Sequence, residues 1–274
     1  MADLPSPSSP PPGLREEHPR EGVLRWVLDS PAKRNAISPA VFEWIADRCV
    51  QLRGQAVILR GAGDEAFSAG FDLSALATAL REGSGPPDHT LIGATAAIQR
   101  ADATFIASIN GYVIGAGVEL VSACDLRIAR RGASLRLPAG RLGVVYHAAG
   151  LARIHAAFGG TIARRLLLVG EKVPIEDARA SLCGLVDGAE LDARTDDLAQ
   201  YLCEQSQISL AGNRRLLRAL DRVQSLPADL LEAHHHTRQL AYEAIAGRNR
   251  GPQVARERPK LPGLPKLPKP PSSG

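Results

Sequence analysis

The stretch from Ser108 to Asp125, S-I-N-G-Y-V-I-G-A-G-V-E-L-V-S-A-C-D, constrains this chain more than any other. An apolar run, Phe105 to Ile109, reads as a strand and breaks at Asn110-Gly111. A second cluster of small residues, Gly115-Ala116-Gly117, then opens a helix that carries one carboxylate, Glu119, among Val118, Leu120 and Val121. A strand that passes through a glycine turn into a helix aims free backbone N–H groups at an anion. An acid one turn into that helix, with no partner among its apolar neighbours, is a candidate proton-transfer group. Burial should raise its pKa and the helix N-terminus should lower it, with burial dominating.

A second segment repeats the pattern. Val57-Ile58-Leu59 is a β-branched apolar run, followed by R-G-A-G-D-E-A-F-S-A-G-F-D-L from Arg60 to Leu73. Two strand-to-helix turns supply one N–H each, the pair needed to hold a thioester carbonyl as it becomes an enolate. The segments A-F-S-A-G-F-D-L, I-N-G-Y-V-I-G-A-G-V-E-L and P-A-K-R-N-A-I-S (from Pro31) together resemble the three hallmark segments of the crotonase (enoyl-CoA hydratase/isomerase) superfamily, in its order and spacing. The resemblance runs from about Gly22 to about Lys260.

The resemblance implies an α/β fold, a crotonase-like spiral of β-β-α repeats followed by a C-terminal helical trimerisation region. It implies backbone N–H donors at Phe71, after Ala69-Gly70, and at Ala116, after Gly115. It places Lys33 and Arg34 near CoA phosphates and lays the adenine and pantetheine along Ser68 to Asp72, with Leu73 next in line. Glu119 aligns with the first of the two glutamates by which a hydratase holds and ionises water. The second should follow a proline in a stretch like P-E-x-x-x-G; here the stretch runs from Pro138 to Gly143, with Ala139 in the acid's place. Loss of a general acid/base typically costs 10²–10⁴-fold, so two-carboxylate hydration is in doubt. Three residues past Gly143, Tyr146 resembles a tyrosine of acyl-CoA decarboxylases in the same superfamily. His147 follows it, with no reason in the sequence to face the same way.

The expected activity is therefore that of an enoyl-CoA hydratase/isomerase-like lyase or isomerase, working on an acyl-CoA through an enolate with Glu119 as sole acid/base. A decarboxylase using Tyr146 is the first alternative and a catalytically silent acyl-CoA-binding protein the second. No cofactor is expected, since CoA is part of the substrate, and the expected assembly is a homo-trimer or hexamer.

Charge and composition exclude other classes. A net charge of +4 is spread along the chain without an aromatic-basic motif, which argues against nucleic-acid binding. No apolar run approaches the length of a membrane span, and the N-terminus lacks the basic and apolar parts of a signal peptide. Cys49, Cys124, Cys183 and Cys203 show no C-x-x-C spacing and read as reduced, buried residues of a cytoplasmic protein. His234-His235-His236 cannot converge on one metal ion from one helix, because consecutive helical residues point about 100° apart, and they read as surface residues.

Residues 1–20 are Pro/Ser-rich and 261–274 Lys/Pro-rich, and both read as disordered tails. Between them, 21–260 reads as one domain, with a spiral core over 21–190 and helices over 191–260. Expected strands are Gly22–Leu28, Gln55–Arg60, Thr104–Ile109 and Leu126–Ala129. Expected helices are Pro39–Arg53, opened by the N-cap signal Ser38-Pro39, Leu73–Arg81, Thr90–Arg100 and Ala116–Ala123. A turn-rich break spans Arg81–His89. After Ala148 the pattern is almost wholly helical: Leu151–Phe158, Thr161–Val169, Ile175–Leu182, Asp192–Gln205, Leu210–Val223 and Ala228–Ala246.

Overall fold

The computed structural model describes residues 9–72, 88–221 and 228–248. Two sheets run through it. The larger has six strands in the order β1 (Leu14–Arg20), β2 (Val23–Leu28), β3 (Arg53–Gly61), β5 (Asp102–Ile109), β7 (Leu126–Arg130) and β10 (Gly184–Val186). The smaller has four: β4 (Ala66–Ser68), β6 (Tyr112–Ile114), β8 (Ser134–Arg136) and β9 (Lys172–Pro174). Pairing in the large sheet is parallel from β2 to β10, and antiparallel only between β1 and β2.

The chain winds between the sheets. Each of β3, β5 and β7 turns sharply into a short strand, β4, β6 or β8, of the small sheet. Strands buried on both faces read as near-continuous apolar runs; Val57-Ile58-Leu59 is such a run, and Ala103 to Ile109 is broken only by Thr104 and Ser108, buried hydroxyls that meet Arg214 and Thr195. Helices α1 (Pro39–Cys49), α2 (His89–Arg100) and α3 (Ala116–Ala123) return the chain. Two buried amides stitch the turn from β3 to β4. Asn35 Nδ2 donates to Ala62 O (3.0 Å) and Ala66 O (2.8 Å), and Asn110 Nδ2 donates to Gly63 O (2.7 Å) while its Oδ1 accepts from Gly61 N–H. The core gathers on Trp26, whose ring lies edge-on to Trp44 and Phe105 at 5.3 and 5.6 Å between centroids.

The remaining helices are α4 (Ala139–Leu142), α5 (Ala148–Arg164), α6 (Leu191–Cys203), α7 (Gln207–Leu220) and α8 (Ala228–Arg248). Ala199 of α6 packs on Val23, Ala56, Ile58 and Ile106 of the large sheet's outer face. Polar ties secure α7. Arg214 donates to Thr104 and Asp102, and Arg218 holds both oxygens of Asp125 at 2.7 Å while also donating to Gln99 O, Ala101 O and Ala103 O. Those three carbonyls end α2 and begin β5, so one guanidinium closes a helix C-terminus that has no glycine cap. This is the α/β spiral with C-terminal helices expected from the resemblance.

Several expectations are revised. Order begins earlier than residue 21: Leu14–Arg20 is an edge strand with Leu14 buried, because its alternating pattern pairs with Val23–Leu28. The second half is less helical than its composition suggests. The strands Lys172–Pro174 and Gly184–Val186 interrupt it, Ile175–Ser181 is a 3₁₀ turn, and Gly159, with φ 76°, breaks the run from Ala148 before a π turn at Arg165–Val169. Helix α1 stops at Cys49, short of Arg53, and although Ser38 sits at its N-cap the hydroxyl makes no cap bond. Cys49 and Cys124 are buried free thiols, whereas Cys183 is exposed and Cys203 half-buried. The expected helix Leu73–Arg81, most of the break at Arg81–His89 and the tail 261–274 lie outside the described residues.

Candidate active site

The two glycine turns meet. Gly70, with φ +92°, lies just past β4, and Gly115, with φ +57° and ψ −121°, follows β6 directly and precedes α3. They pack so closely that a Cβ on Gly70 would stand 2.8 Å from Ile114 O, 3.2 Å from Ala116 N and 3.4 Å from Gly115 Cα. Ser68, fully buried, fixes the first turn by donating to Asn35 O (2.8 Å) and accepting from Gly70 N–H (3.0 Å). The neighbouring amides are used elsewhere: Ala69 N–H donates to Arg34 O and Asp72 N–H to Ile37 O, while Gly70 O accepts from Ile37 N–H. Among the described residues, the N–H groups of Phe71 and Ala116 donate to no backbone carbonyl. Two N–H groups in adjoining turns are what a carbonyl gaining negative charge requires.

A cavity of about 410 Å³ opens on these turns. Ala69, Phe71, Gly115, Ala116, Glu119, Ala139 and Tyr146 line it, joined by Asp88 and by Tyr242 from α8. Most of the wall is apolar, from Leu91, Ile114, Leu137, Leu142 and Val144. Ala139 stands in this wall as the first residue of α4, so the position aligned with the second acid faces the site with a methyl group. Gly143 closes α4 in a left-handed conformation, φ 73°, and shapes the wall without lining it. Lys33 and Arg34 lie outside the cavity's lining, exposed and paired: Lys33 with Asp72 at 2.9 Å, Arg34 with Glu65 at 2.7 Å. Leu73 lies outside the described residues.

Glu119 is where the structure overturns the sequence reading. It sits in the first turn of α3 with no exposed surface, as expected, but it is not without partners. Arg153 Nη2 donates to its Oε1 at 2.5 Å, His147 Nε2 lies 2.9 Å from the same oxygen, and Thr95 Oγ1 lies 3.4 Å away. The imidazole N–H is poorly aligned on the carboxylate, so that contact is electrostatic more than a formed hydrogen bond. Burial pushes the Glu119 carboxyl up. His147 and Arg153 outweigh burial and hold it below the usual carboxylate range, the reverse of the expected direction.

Both partners come from one stretch, Tyr146 to Arg153, which turns into α5 beneath α3. His147 is buried, and its Nδ1 accepts the Gly150 N–H at 3.1 Å as the helix N-cap. Sequence reasoning left His147 without a role and did not single out Arg153. No local motif marks an arginine in the second turn of a helix as the partner of an acid in another helix. Tyr146 keeps part of its surface open to the cavity while protein encloses it. Burial, then the Glu119 charge, raises its phenol well above 10, so it stays an O–H donor. Its carbonyl contacts His234 Nε2 at 2.6 Å. His234 is thus half-buried against the site, whereas His235 and His236 are exposed as expected. No group of metal-ligating side chains occurs among the described residues.

A two-sheet spiral with paired glycine turns over a buried carboxylate defines a class: this is an acyl-CoA enzyme of the crotonase superfamily. The chain belongs to the enoyl-CoA hydratase/isomerase family, whose sequence model matches residues 18–253. Carnitinyl-CoA dehydratase of Shigella flexneri is 31% identical over 205 residues, which is 72% of this chain and 77% of that protein. A monofunctional enoyl-CoA isomerase from M. smegmatis superposes with a TM-score of 0.64 at 26% identity, over 78% of this chain and 96% of its own. A methylmalonyl-CoA decarboxylase in complex with 2-nitronate-propionyl-CoA shares the fold with a TM-score of 0.74 at 24% identity, over 84% of this chain and 90% of its own. Among the described residues, no helix is long and apolar enough to cross a membrane.

Proposed function

We propose that this enzyme interconverts enoyl-CoA thioesters by moving a proton between carbons near the thioester, with Glu119 as its sole acid/base. The observation that carries the reading is a buried carboxylate with one oxygen, Oε2, unpartnered among the described residues, in the wall of the cavity onto which both glycine turns open. The thioester oxygen accepts from Phe71 N–H and Ala116 N–H, which draw charge from the α-carbon into an enolate. Glu119 Oε2 takes a proton from the carbon next to the thioester of a 3-enoyl-CoA, which leaves a dienolate, and returns that proton to the carbon two bonds further along the chain. The carboxylate ends as it began, so a double-bond shift closes its proton balance with no second acid. Hydration asks more of the site: a water must be held as well as ionised, and Ala139 offers it no hydrogen bond. Shift of the double bond therefore ranks ahead of hydration or dehydration.

Lys33 and Arg34, beside the Ser68–Asp72 segment, suit the CoA phosphates, and the pantetheine would pass Ala69 and Phe71. A trimer or hexamer fits the exposed apolar residues Leu168, Val169, Ile208, Leu216, Leu217 and Leu220. A monodisperse species near 29 kDa by light scattering would refute assembly.

One observation favours a second reading, decarboxylation. Tyr146 lines the cavity, and burial keeps its phenol protonated at neutral pH, fit to hold a leaving carboxylate. The two are separated by a product scan, using mass spectrometry in deuterated water with crotonyl-, 3-enoyl-, methylmalonyl- and glutaconyl-CoA. Double-bond migration with deuterium incorporation is expected. Loss of carbon dioxide without migration would replace the proposal with the second reading. Tight binding of every thioester without exchange would leave only an acyl-CoA-binding role.

A further inference from the structure

The cluster around Glu119 treats its two oxygens unequally. Oε1 receives Arg153 Nη2 at 2.5 Å and faces His147 Nε2 at 2.9 Å and Thr95 Oγ1 at 3.4 Å. Oε2 is buried and has no hydrogen-bond partner among the described residues. The cluster is braced from behind. Arg153 Nη2 also donates to Thr95 Oγ1 at 2.8 Å, and Thr95 donates to Leu91 O within α2. His147 cannot turn freely, because its Nδ1 accepts Gly150 N–H; the proton of the neutral ring is therefore on Nε2, on the carboxylate side. Gly150 is itself required here: a Cβ would stand 2.8 Å from His147 Nε2 and 3.0 Å from Glu119 Oε2.

We propose that Arg153, assisted by His147 and Thr95, is a positioning residue that locks Glu119 Oε1 and leaves Oε2 as the single proton-transfer atom of the site. The assignment rests on Glu119 being the acid/base, as argued above. A free carboxylate in an apolar cavity would rotate about its last bond, present either oxygen, and take up a proton as burial disfavours its charge. The clamp prevents both. It gives the base one fixed lone-pair direction and keeps it ionised at neutral pH, so the proton it carries in the reaction comes from the substrate. The other groups facing Glu119 do not compete. Helix α3 brings no other charge, α2 brings Thr95, and the stretch before α5 brings Tyr146, which stays protonated. Among the described residues, Asp88 and Tyr242 add the remaining polar lining of the cavity, with Asp88 engaged by Arg238 of α8.

The test is the pH dependence of α-carbon deuterium exchange, read beside the infrared carboxyl band of Glu119, obtained as wild type minus Glu119→Gln. At pH 5 the wild type should show no protonated-carboxyl band. Its exchange rate should stay flat as pH falls to the ordinary glutamate value of about 4.3. Arg153→Met should move the acid limb up by about 1–3 pH units and bring the protonated band into view at pH 5. Arg153→Lys, which keeps the charge without the planar fork, should restore much of the limb's position and less of the rate. A purely structural arginine would change the amount of folded enzyme and leave the limb in place. A limb unmoved in Arg153→Met, or a protonated band in the wild type at pH 5, overturns the proposal, and the second measurement needs no variant of the clamp to fold. If Glu119→Gln exchanges at the wild-type rate, it is the acid/base reading that fails, an outcome distinct from both.

Discussion

Replacing Gly70 by alanine tests the geometry of the glycine turns with one methyl group. The backbone at this position has φ +92°, outside the range of L-residues, so strain alone costs roughly 1–2 kcal/mol. The steric part is larger. The new Cβ would stand 2.8 Å from Ile114 O, closer than real Cβ contacts come, and both partners are backbone, so neither yields easily. It would also stand 3.2 Å from Ala116 N, close to the 2.7–3.1 Å at which an oxyanion sits from its donor. The methyl thus takes the place proposed for the thioester oxygen. Loss of one such donor typically lowers turnover by about 10²–10³-fold, and kcat/KM of Gly70→Ala should fall at least that far. Gly115→Ala is the comparison. Among the described residues its Cβ would touch only Gly70 Cα, at 3.7 Å, which leaves backbone strain of roughly 1–3 kcal/mol, so its loss should be smaller. The assay is α-carbon deuterium exchange on whichever thioester the product scan selects, with circular dichroism and a thermal melt on each variant. A folded Gly70→Ala with near-wild-type kcat/KM would refute the placement of the site.

Other perturbations separate catalysis from stability. Glu119→Gln should lower turnover at least ~10²-fold. It also leaves Arg153 buried without its counter-charge, so stability should fall by about 3 kcal/mol; unchanged activity would make Glu119 structural and move the chemistry to Tyr146. Because the folded-state pKa of Glu119 is depressed, its ionised form stabilises the protein above the ordinary carboxylate value and loses that effect as pH falls through the depressed one. The gap in melting temperature between wild type and Glu119→Gln should therefore narrow below about pH 4.3, and a gap that widens there would contradict the direction. Ala139→Glu puts a second carboxylate into the cavity wall and should raise crotonyl-CoA hydration; no gain in a folded, CoA-binding variant means the pocket has been reshaped for other chemistry. Arg218→Ala removes a guanidinium that binds Asp125 and three backbone carbonyls, and a loss of about 3–5 kcal/mol should lower Tm by about 10 °C or more. A shift of less than about 2 °C would show those contacts to be replaceable by water.

Much of this protein is legible in its sequence because its informative features are local. The strand, turn and helix around Glu119 follow from apolar runs, from glycines at Gly70 and Gly115 and from residues adjacent in the chain. Helix α3 accordingly begins and ends where the pattern predicts, at Ala116 and Ala123. The methyl group at Ala139 is likewise a fact of the sequence, and the structure adds only that it faces the cavity. What tertiary structure alone decided is the state of the acid. Arg153 lies 34 positions from Glu119, and Thr95 lies 24 positions from it on the other side. Neither spacing carries a helical or strand period, so nothing in the chain pattern announces the pair. The same holds for α8, whose Arg238 reaches Asp88 from 150 positions away and also donates to Tyr242. Local sequence sets backbone conformation through neighbouring sterics, whereas the charge on a buried group depends on which distant side chains the packed fold brings within a few ångströms of it.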